Sequence, residues 1–255
     1  LPENYKEIYF KRGYDKLNFN AFNTWVEYIN RLLGVISGVS CFSLFIISLF
    51  IRNKKLFYLS FFLILLMALQ GWMGAIVVYS VLSPLKITIH MLIAIFIVAV
   101  LLFLNQLTDL KISKPTVKKR RINKLILFAL LISLLQIILG SQVRENVDVL
   151  MKNYSKDAII HQLNYIFELH KITAVFVVLS NITVVFYYRK LTNLTMEIKG
   201  IIIVLCALLF SGVLMTYCSL PGLAQLFHLV FAVSLFGLQW SIFLKQFSHP
   251  ILKFP

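Results

Sequence analysis

The sequence predicts an all-α polytopic membrane protein, and three observations support that fold class. Of the 255 residues, 60% are hydrophobic and the mean hydropathy is +0.85, which is more apolar surface than a soluble domain buries. The apolar residues form runs that are long enough to cross a bilayer. The 25 Lys and Arg residues outnumber the 10 Asp and Glu residues, and they gather in short segments between those runs. That distribution is typical of membrane topology and argues against a nucleic-acid-binding surface.

Seven segments are predicted to be transmembrane helices, because each contains about 20 mostly apolar residues. Helices are the expected spans, since the chain lacks the alternating pattern of a membrane β-barrel. The predicted spans are 27–51, 56–82, 87–107, 122–143, 163–188, 198–218 and 222–246.

The charges between the spans predict their orientation. One set of connections is basic: 52–55, 108–124, 189–199 and the C-terminal tail with Lys253. The opposite set is nearly uncharged or of mixed charge: 83–86, 144–161 and 219–221. By the positive-inside rule, we expect residues 1–26 outside and the C-terminus in the cytoplasm.

An internal repeat relates the two halves of the chain. A shift of about 138 positions places Gly74 on Gly212 and His90 on His228, and a shift of about 140 places Arg31 on Lys171. We therefore predict two pseudo-symmetric four-helix halves, with seven helices here and eight in the full-length protein. The predicted parts are an external segment 1–26, an N-terminal half 27–107, a basic cytoplasmic linker 108–121 and a C-terminal half 122–247.

Three histidines within the spans are candidate metal ligands, because ionisable residues inside a membrane are costly and usually functional. His90, His170 and His228 each lie near the outer end of a predicted span. A single such histidine is more often an interfacial or hydrogen-bonded residue. Three at the same depth, two of them at matching repeat positions, favour axial ligation of haem within a helix bundle.

The repeat pairs His170 with His228 in the C-terminal half, but it pairs His90 with Asn30 in the N-terminal half. An amide oxygen is a poorer iron ligand than imidazole, so the two halves are predicted to differ. The His170–His228 half suits a six-coordinate haem that transfers electrons. The other half suits a haem with an open or weakly held axial position, at which chemistry takes place.

Charged residues at the same depth complete the predicted site. Glu27, Asn30 and Arg31 are spaced i, i+3 and i+4 and so share one helical face. The Glu27 carboxylate is a candidate for proton handling or for stabilising positive charge, although an interfacial ion pair with Arg31 explains it equally well. Arg31, Arg144 and Lys171 are candidate partners for haem propionates.

Four stretches resemble the haem A synthase family, the membrane proteins of cytochrome oxidase assembly. They are Glu27 to Leu32 (EYINRL), Gln70 to Gly74 (QGWMG), Gln136 to Glu145 (QIILGSQVRE) and Gln225 to His228 (QLFH). The resemblance covers nearly the whole chain. It implies eight helices in two pseudo-symmetric halves, of which the first helix and the external loop after it lie outside this sequence.

The resemblance also implies an activity, namely the oxidation of a ring methyl of haem O to the formyl group of haem A. Haem b would be held in the C-terminal half by His170 and His228. Haem O, the substrate, would lie in the N-terminal half, with Glu27 as the essential carboxylate and His90 as one histidine. Asn30 departs from the family, in which many members have histidine at that position.

The expected setting is the bacterial plasma membrane, with membrane lipid around the protein, a haem O synthase as supplier and haem-copper oxidase subunits as recipients. No nucleic acid is expected as a partner. Two other functions remain open at the level of sequence: a b-type cytochrome that only transfers electrons, and an assembly factor that delivers haem without oxidising it. Glu27 favours the enzyme, because neither alternative needs that carboxylate.

Overall fold

In the computed structural model, the residues described are 4, 6–7, 10, 21–51, 53–79, 84–108, 120–151, 153–190 and 195–246. They form eight helices: α1 (Ala21–Phe50), α2 (Lys54–Tyr79), α3 (Pro84–Thr108), α4 (Arg120–Leu150), α5 (Lys156–Gln162), α6 (Tyr165–Arg189), α7 (Met196–Tyr217) and α8 (Gly222–Lys245). Most of the predicted external segment 1–26, most of the basic linker 108–121 and the tail with Lys253 lie outside the described residues.

The predicted fold class is confirmed. Every long helix is apolar and long enough to cross a bilayer, and these seven helices match the seven predicted spans in order. The described residues contain no strand. The chain is thus a polytopic helical membrane protein.

Two helices extend beyond the predicted spans. Helix α4 continues to Leu150, so residues 144–150, which the sequence pattern placed in a loop, are helical. An ion pair of 2.8 Å between Arg144 and Asp148, at i and i+4, supports these extra helical turns. Likewise, α1 begins at Ala21, so the last residues of the predicted external segment are helical. Apolarity marks the part of a helix that lies in lipid and does not mark where the helix ends.

The chain divides into two compact units, Leu1–Leu101 and Leu102–Pro255. In the first unit, α1 packs against α2. The Ser60 hydroxyl donates to Ser48 Oγ at 2.8 Å, and Phe45 contacts the rings of Phe57 and Phe61. Helices α2 and α3 meet where the rings of Phe62 and Phe96 lie edge to face, 6.2 Å apart.

In the second unit, the long helices form a four-helix ring. The most extensive contacts join α4 to α6, α7 to α8 and α4 to α8, and α6 also touches α7. Helices α6 and α8 therefore lie diagonally across the ring. Its apolar core is formed by Ile122, Ile126, Ala129, Val177, Val184, Tyr188, Ile198, Ile201, Leu205, Leu235 and Ile242.

A buried polar network connects three helices of this ring. Gln239 on α8 is 2% exposed, and its amide nitrogen donates to Ser133 Oγ on α4 at 3.0 Å and to Asn181 Oδ1 on α6 at 2.9 Å. Asn181 in turn donates to Val177 O at 2.8 Å. Because lipid offers no hydrogen-bonding partner, polar side chains of membrane helices satisfy one another in the interior. This network fixes how α4, α6 and α8 are rotated about their axes.

A small cap cluster (Val147, Ile159 and Leu220, all buried) covers the end of the ring where α8 begins. Leu220 has φ 55° and Ser219 has φ 57°, a left-handed conformation that is costly for residues with a side chain. The Ser219 hydroxyl donates to Asp157, and Gln225 Nε2 donates to Leu220 O at 2.7 Å. These contacts hold the tight turn that sets the start of α8.

The polar network yields a stability prediction. Gln239→Leu removes the shared amide and leaves Ser133 and Asn181 without that partner, so we expect a loss of about 1–2 kcal/mol of stability. Thermal unfolding in detergent, followed by fluorescence, measures this loss as a lower Tm. Ser234→Ala is the matched control, because that exposed hydroxyl bonds only within its own helix, to Val230 O. A Gln239→Leu protein as stable as the wild type would contradict the prediction.

Candidate functional site

The three histidines share one position within their helices. His90, His170 and His228 each lie in the second turn of α3, α6 and α8. The common depth in the membrane that the sequence predicts for these histidines stays a prediction.

His228 is held by Ser211 of α7. The Ser211 hydroxyl lies 3.0 Å from Leu208 O and 2.8 Å from His228 Nδ1. The hydroxyl has one hydrogen, and a carbonyl only accepts, so the hydroxyl donates to Leu208 and accepts from Nδ1–H. This bond sets the tautomer and leaves the lone pair of Nε2 available to accept a hydrogen bond or to bind a metal ion. Metal-ligating histidines are commonly oriented in this way.

His170 is held by Gln136 of α4. The Gln136 amide nitrogen lies 3.2 Å from His170 Nε2 and 3.0 Å from His170 O. The Thr173 hydroxyl donates to Gln136 Oε1. The amide therefore bridges a side chain and the backbone of α6, and it fixes the imidazole against α4.

His170 and His228 lie on α6 and α8, which are diagonal helices of the four-helix ring, and both side chains are partly buried. Their role as a ligand pair stays a prediction. Diagonal helices of a bundle can present ligands to the two faces of one planar group.

His90 has a similar neighbour in the first unit. Gln70 Nε2 on α2 lies 3.3 Å from His90 Nε2. Gln70 Oε1 and His90 Nδ1 are both buried, and neither has a hydrogen-bonding partner.

Each histidine also packs its Cε1 edge against a glycine, and this feature was missed by the sequence analysis. A Cβ built at Gly140 would lie 3.1 Å from His170 Cε1, one at Gly74 would lie 3.4 Å from His90 Cε1, and one at Gly212 would lie 3.6 Å from His228 Cε1. The Gln-x3-Gly spacing, present at Gln70–Gly74 and again at Gln136–Gly140, was the available signal. Residues four apart share a helical face, so the glutamine and the glycine both contact the same imidazole.

Glu27 and Arg31 form an ion pair on α1, and both side chains are more than half exposed. Asn30 is also exposed. No hydrogen bond joins Glu27 or Asn30 to His90 among the residues that the structure describes. The association of these residues in one site therefore stays a prediction.

The two other predicted propionate partners are also paired with carboxylates of their own helices. Arg144 pairs with Asp148 at 2.8 Å, and Lys171 pairs with Glu168 at 2.7 Å, with all four side chains substantially exposed. Arg144 additionally donates to Gln225 on α8. Within the described part of the chain, no group of three or more His, Cys, Asp or Glu side chains is arranged to hold a metal ion.

Comparison with known proteins identifies the family. The COX15-CtaA family of cytochrome oxidase assembly proteins matches residues 2–240. The chain belongs to this family. The sequence-based resemblance to haem A synthases, which form this family, is thereby confirmed. Comparisons with curated proteins and with solved structures each found no match.

Proposed function

We propose that this cytochrome oxidase assembly protein is a haem A synthase, with haem b resident in the second unit and haem O as its substrate. The observation that carries the proposal is the diagonal pair of His170 and His228 in a chain of this family. Family membership supports a role in oxidase assembly, and the pair supplies a site in which haem chemistry can be carried out.

The residues of the second unit fit haem b in three respects. His228 has its Nε2 lone pair set for metal binding through Ser211. Imidazole on both faces is a common ligand set for electron-transferring haem. Gly140 and Gly212 let the neighbouring helices approach the imidazoles closely. When bound, haem b supplies one-electron redox chemistry, which the protein tunes through its ligands and surroundings.

The surrounding cations fit the propionates of a haem. Arg144 and Lys171 form exposed ion pairs with Asp148 and Glu168, and such pairs contribute little net free energy. A propionate can therefore replace either carboxylate at small cost. A guanidinium also binds a carboxylate through two parallel hydrogen bonds.

In the first unit, His90 is the proposed ligand for haem O, and Glu27 is the proposed proton acceptor. Oxidation of a methyl to a formyl group removes four electrons and, with the elements of one water, releases four protons. A carboxylate that passes such protons to solvent needs exposure, and Glu27 is 59% exposed. Arg31, its ion-pair partner, lies one helical turn along the same face of α1. In this proposal Asn30, the residue that the repeat pairs with His90, would be a weaker iron ligand than a histidine.

The proposed setting is the bacterial plasma membrane, with the histidine layer near the external face and the C-terminus in the cytoplasm. Haem O would come from a haem O synthase, and haem A would pass to haem-copper oxidase subunits. The electron partner is not specified by any described residue.

The catalytic proposal predicts a conversion that depends on Glu27. The full-length gene is co-expressed with a haem O synthase in a host without haem A, and the extracted haems are separated by chromatography. The wild type should produce haem A. Glu27→Ala should lower conversion roughly 100-fold or more, as expected for loss of a general base, while haem b stays bound.

Glu197→Gln is the matched carboxylate control. Glu197 pairs with Lys245 where α7 begins and α8 ends, away from the histidines, so its conversion should equal that of the wild type. Accumulation of haem O without haem A in the wild type would refute the enzymatic proposal and favour the haem-delivery role that Asn30 permits. Normal conversion by Glu27→Ala would refute the role of Glu27.

The glycine contacts predict different haem b contents for two glycine-to-alanine variants. At Gly140 a methyl group would lie 3.1 Å from His170 Cε1, closer than ordinary contact, whereas at Gly212 it would lie at an acceptable 3.6 Å from His228 Cε1. We expect Gly140→Ala to displace the His170 imidazole and to lose most of its haem b, and Gly212→Ala to keep it. The pyridine haemochrome content of the purified proteins measures the difference. Equal haem b content in both variants would contradict the fit.

A further inference from the structure

The two candidate haem b ligands, His170 and His228, differ in which ring nitrogen has a hydrogen-bonding partner. The Ser211 hydroxyl occupies Nδ1 of His228 and leaves Nε2 available. At His170 the arrangement is reversed: the Gln136 amide occupies Nε2, and the buried Nδ1 has no hydrogen-bonding partner. The difference lies at the nitrogen that would bind iron.

The orientation of the Gln136 amide follows from its second contact. One atom of the amide lies 3.0 Å from His170 O, and a backbone carbonyl only accepts hydrogen bonds, so this atom is the nitrogen. The Thr173 hydroxyl lies against the other end, Oε1, and also lies 2.9 Å from Leu169 O. Of the two amide hydrogens, one serves His170 O and the other faces His170 Nε2. His170 Nε2 is consequently the acceptor, and its lone pair is engaged.

Nε2 is also the only ring nitrogen of His170 that is sterically suited to a large planar ligand. Nδ1 is next to the ring's attachment to Cβ, and it lies near Gly140, 3.7 Å from where a Cβ would be. One lone pair serves either the amide hydrogen or a metal ion, and never both at once.

We propose that Gln136 is a positioning residue that holds Nε2 of His170 in the ligand-free protein and has to release it when haem binds. This inference rests on the haem b site of the proposed function. His228 is then the ligand that binds first, and His170 completes the coordination after the amide has moved. The benefit is that a histidine inside the membrane keeps a hydrogen-bonding partner before haem arrives, when an unpaired polar group would be costly.

The first unit contains the same arrangement. Gln70 Nε2 lies 3.3 Å from His90 Nε2, and Gly74, four residues after the glutamine, lies against the same ring. The amide that holds Nε2 and the glycine that holds the ring edge thus occur together twice, on α2 and on α4.

The test uses full-length, ligand-free protein in lipid nanodiscs, titrated with haemin. Absorption in the Soret region distinguishes one nitrogen ligand from two, and stopped-flow mixing separates the two steps. The wild type should show a fast first phase and a slower second phase. In Gln136→Leu, which keeps the side-chain size but removes the amide, we expect the second phase to be faster and haem affinity to rise about 3- to 10-fold, as for one hydrogen bond.

Gln106→Leu is the matched control, because Gln106 is a buried glutamine of α3 that lies many residues from His90. It should behave as the wild type does. If Gln136→Leu does not fold, Gln136→Asn withdraws the amide by one methylene and should change the binding in the same direction.

Each outcome decides between the two proposals. If the wild type binds no haem, both the haem b site and the proposed role of Gln136 are wrong. If the wild type binds haem but Gln136→Leu shows unchanged or weaker affinity and an unchanged second phase, only the proposed role of Gln136 is wrong. Tighter binding and a faster second phase in the variant support it.

Discussion

A polar group inside a membrane span is costly to leave without a partner in the protein, because the hydrocarbon core of a bilayer offers none. That constraint explains why the few polar side chains of the second unit occur in connected sets. Gln239, Ser133 and Asn181 satisfy one another at one level of the bundle. Gln136 contacts His170 and Thr173 at another level. Each set joins different helices of the ring.

The same constraint shapes the site. An imidazole in this environment is held on two sides, by a hydrogen-bonding group and by a close helix backbone at a glycine. For His228 the partner sets the tautomer, and for His170 it contacts Nε2, the nitrogen that would bind iron in the proposed function. The family's place in cytochrome oxidase assembly is compatible with such a haem site, which the proposed function assigns to these two histidines.

Sequence patterns predicted the parts of this structure that hydrophobicity controls. Seven apolar runs became seven helices, and the repeat placed His170 and His228 on facing helices of one bundle. The end of α4 was missed because its last turns are polar. A polar stretch indicates where a helix leaves the lipid, but the helical hydrogen bonds can continue beyond that point. Gln136 and Ser211 were missed as partners of the histidines because that contact depends on the rotation of neighbouring helices, which no local pattern encodes. The roles of Glu27 and Asn30 stay predictions, since neither residue has a described bond to His90.

The central claim is the proposal that His170 and His228 together would hold one haem b. The most direct measurement is the absorption spectrum of the purified full-length protein with each histidine changed to alanine, and with His161→Ala as a control on the exposed face of α5. The account predicts that His170→Ala and His228→Ala each lose the low-spin haem b spectrum and that His161→Ala retains it. An unchanged low-spin spectrum in either His170→Ala or His228→Ala would contradict the claim.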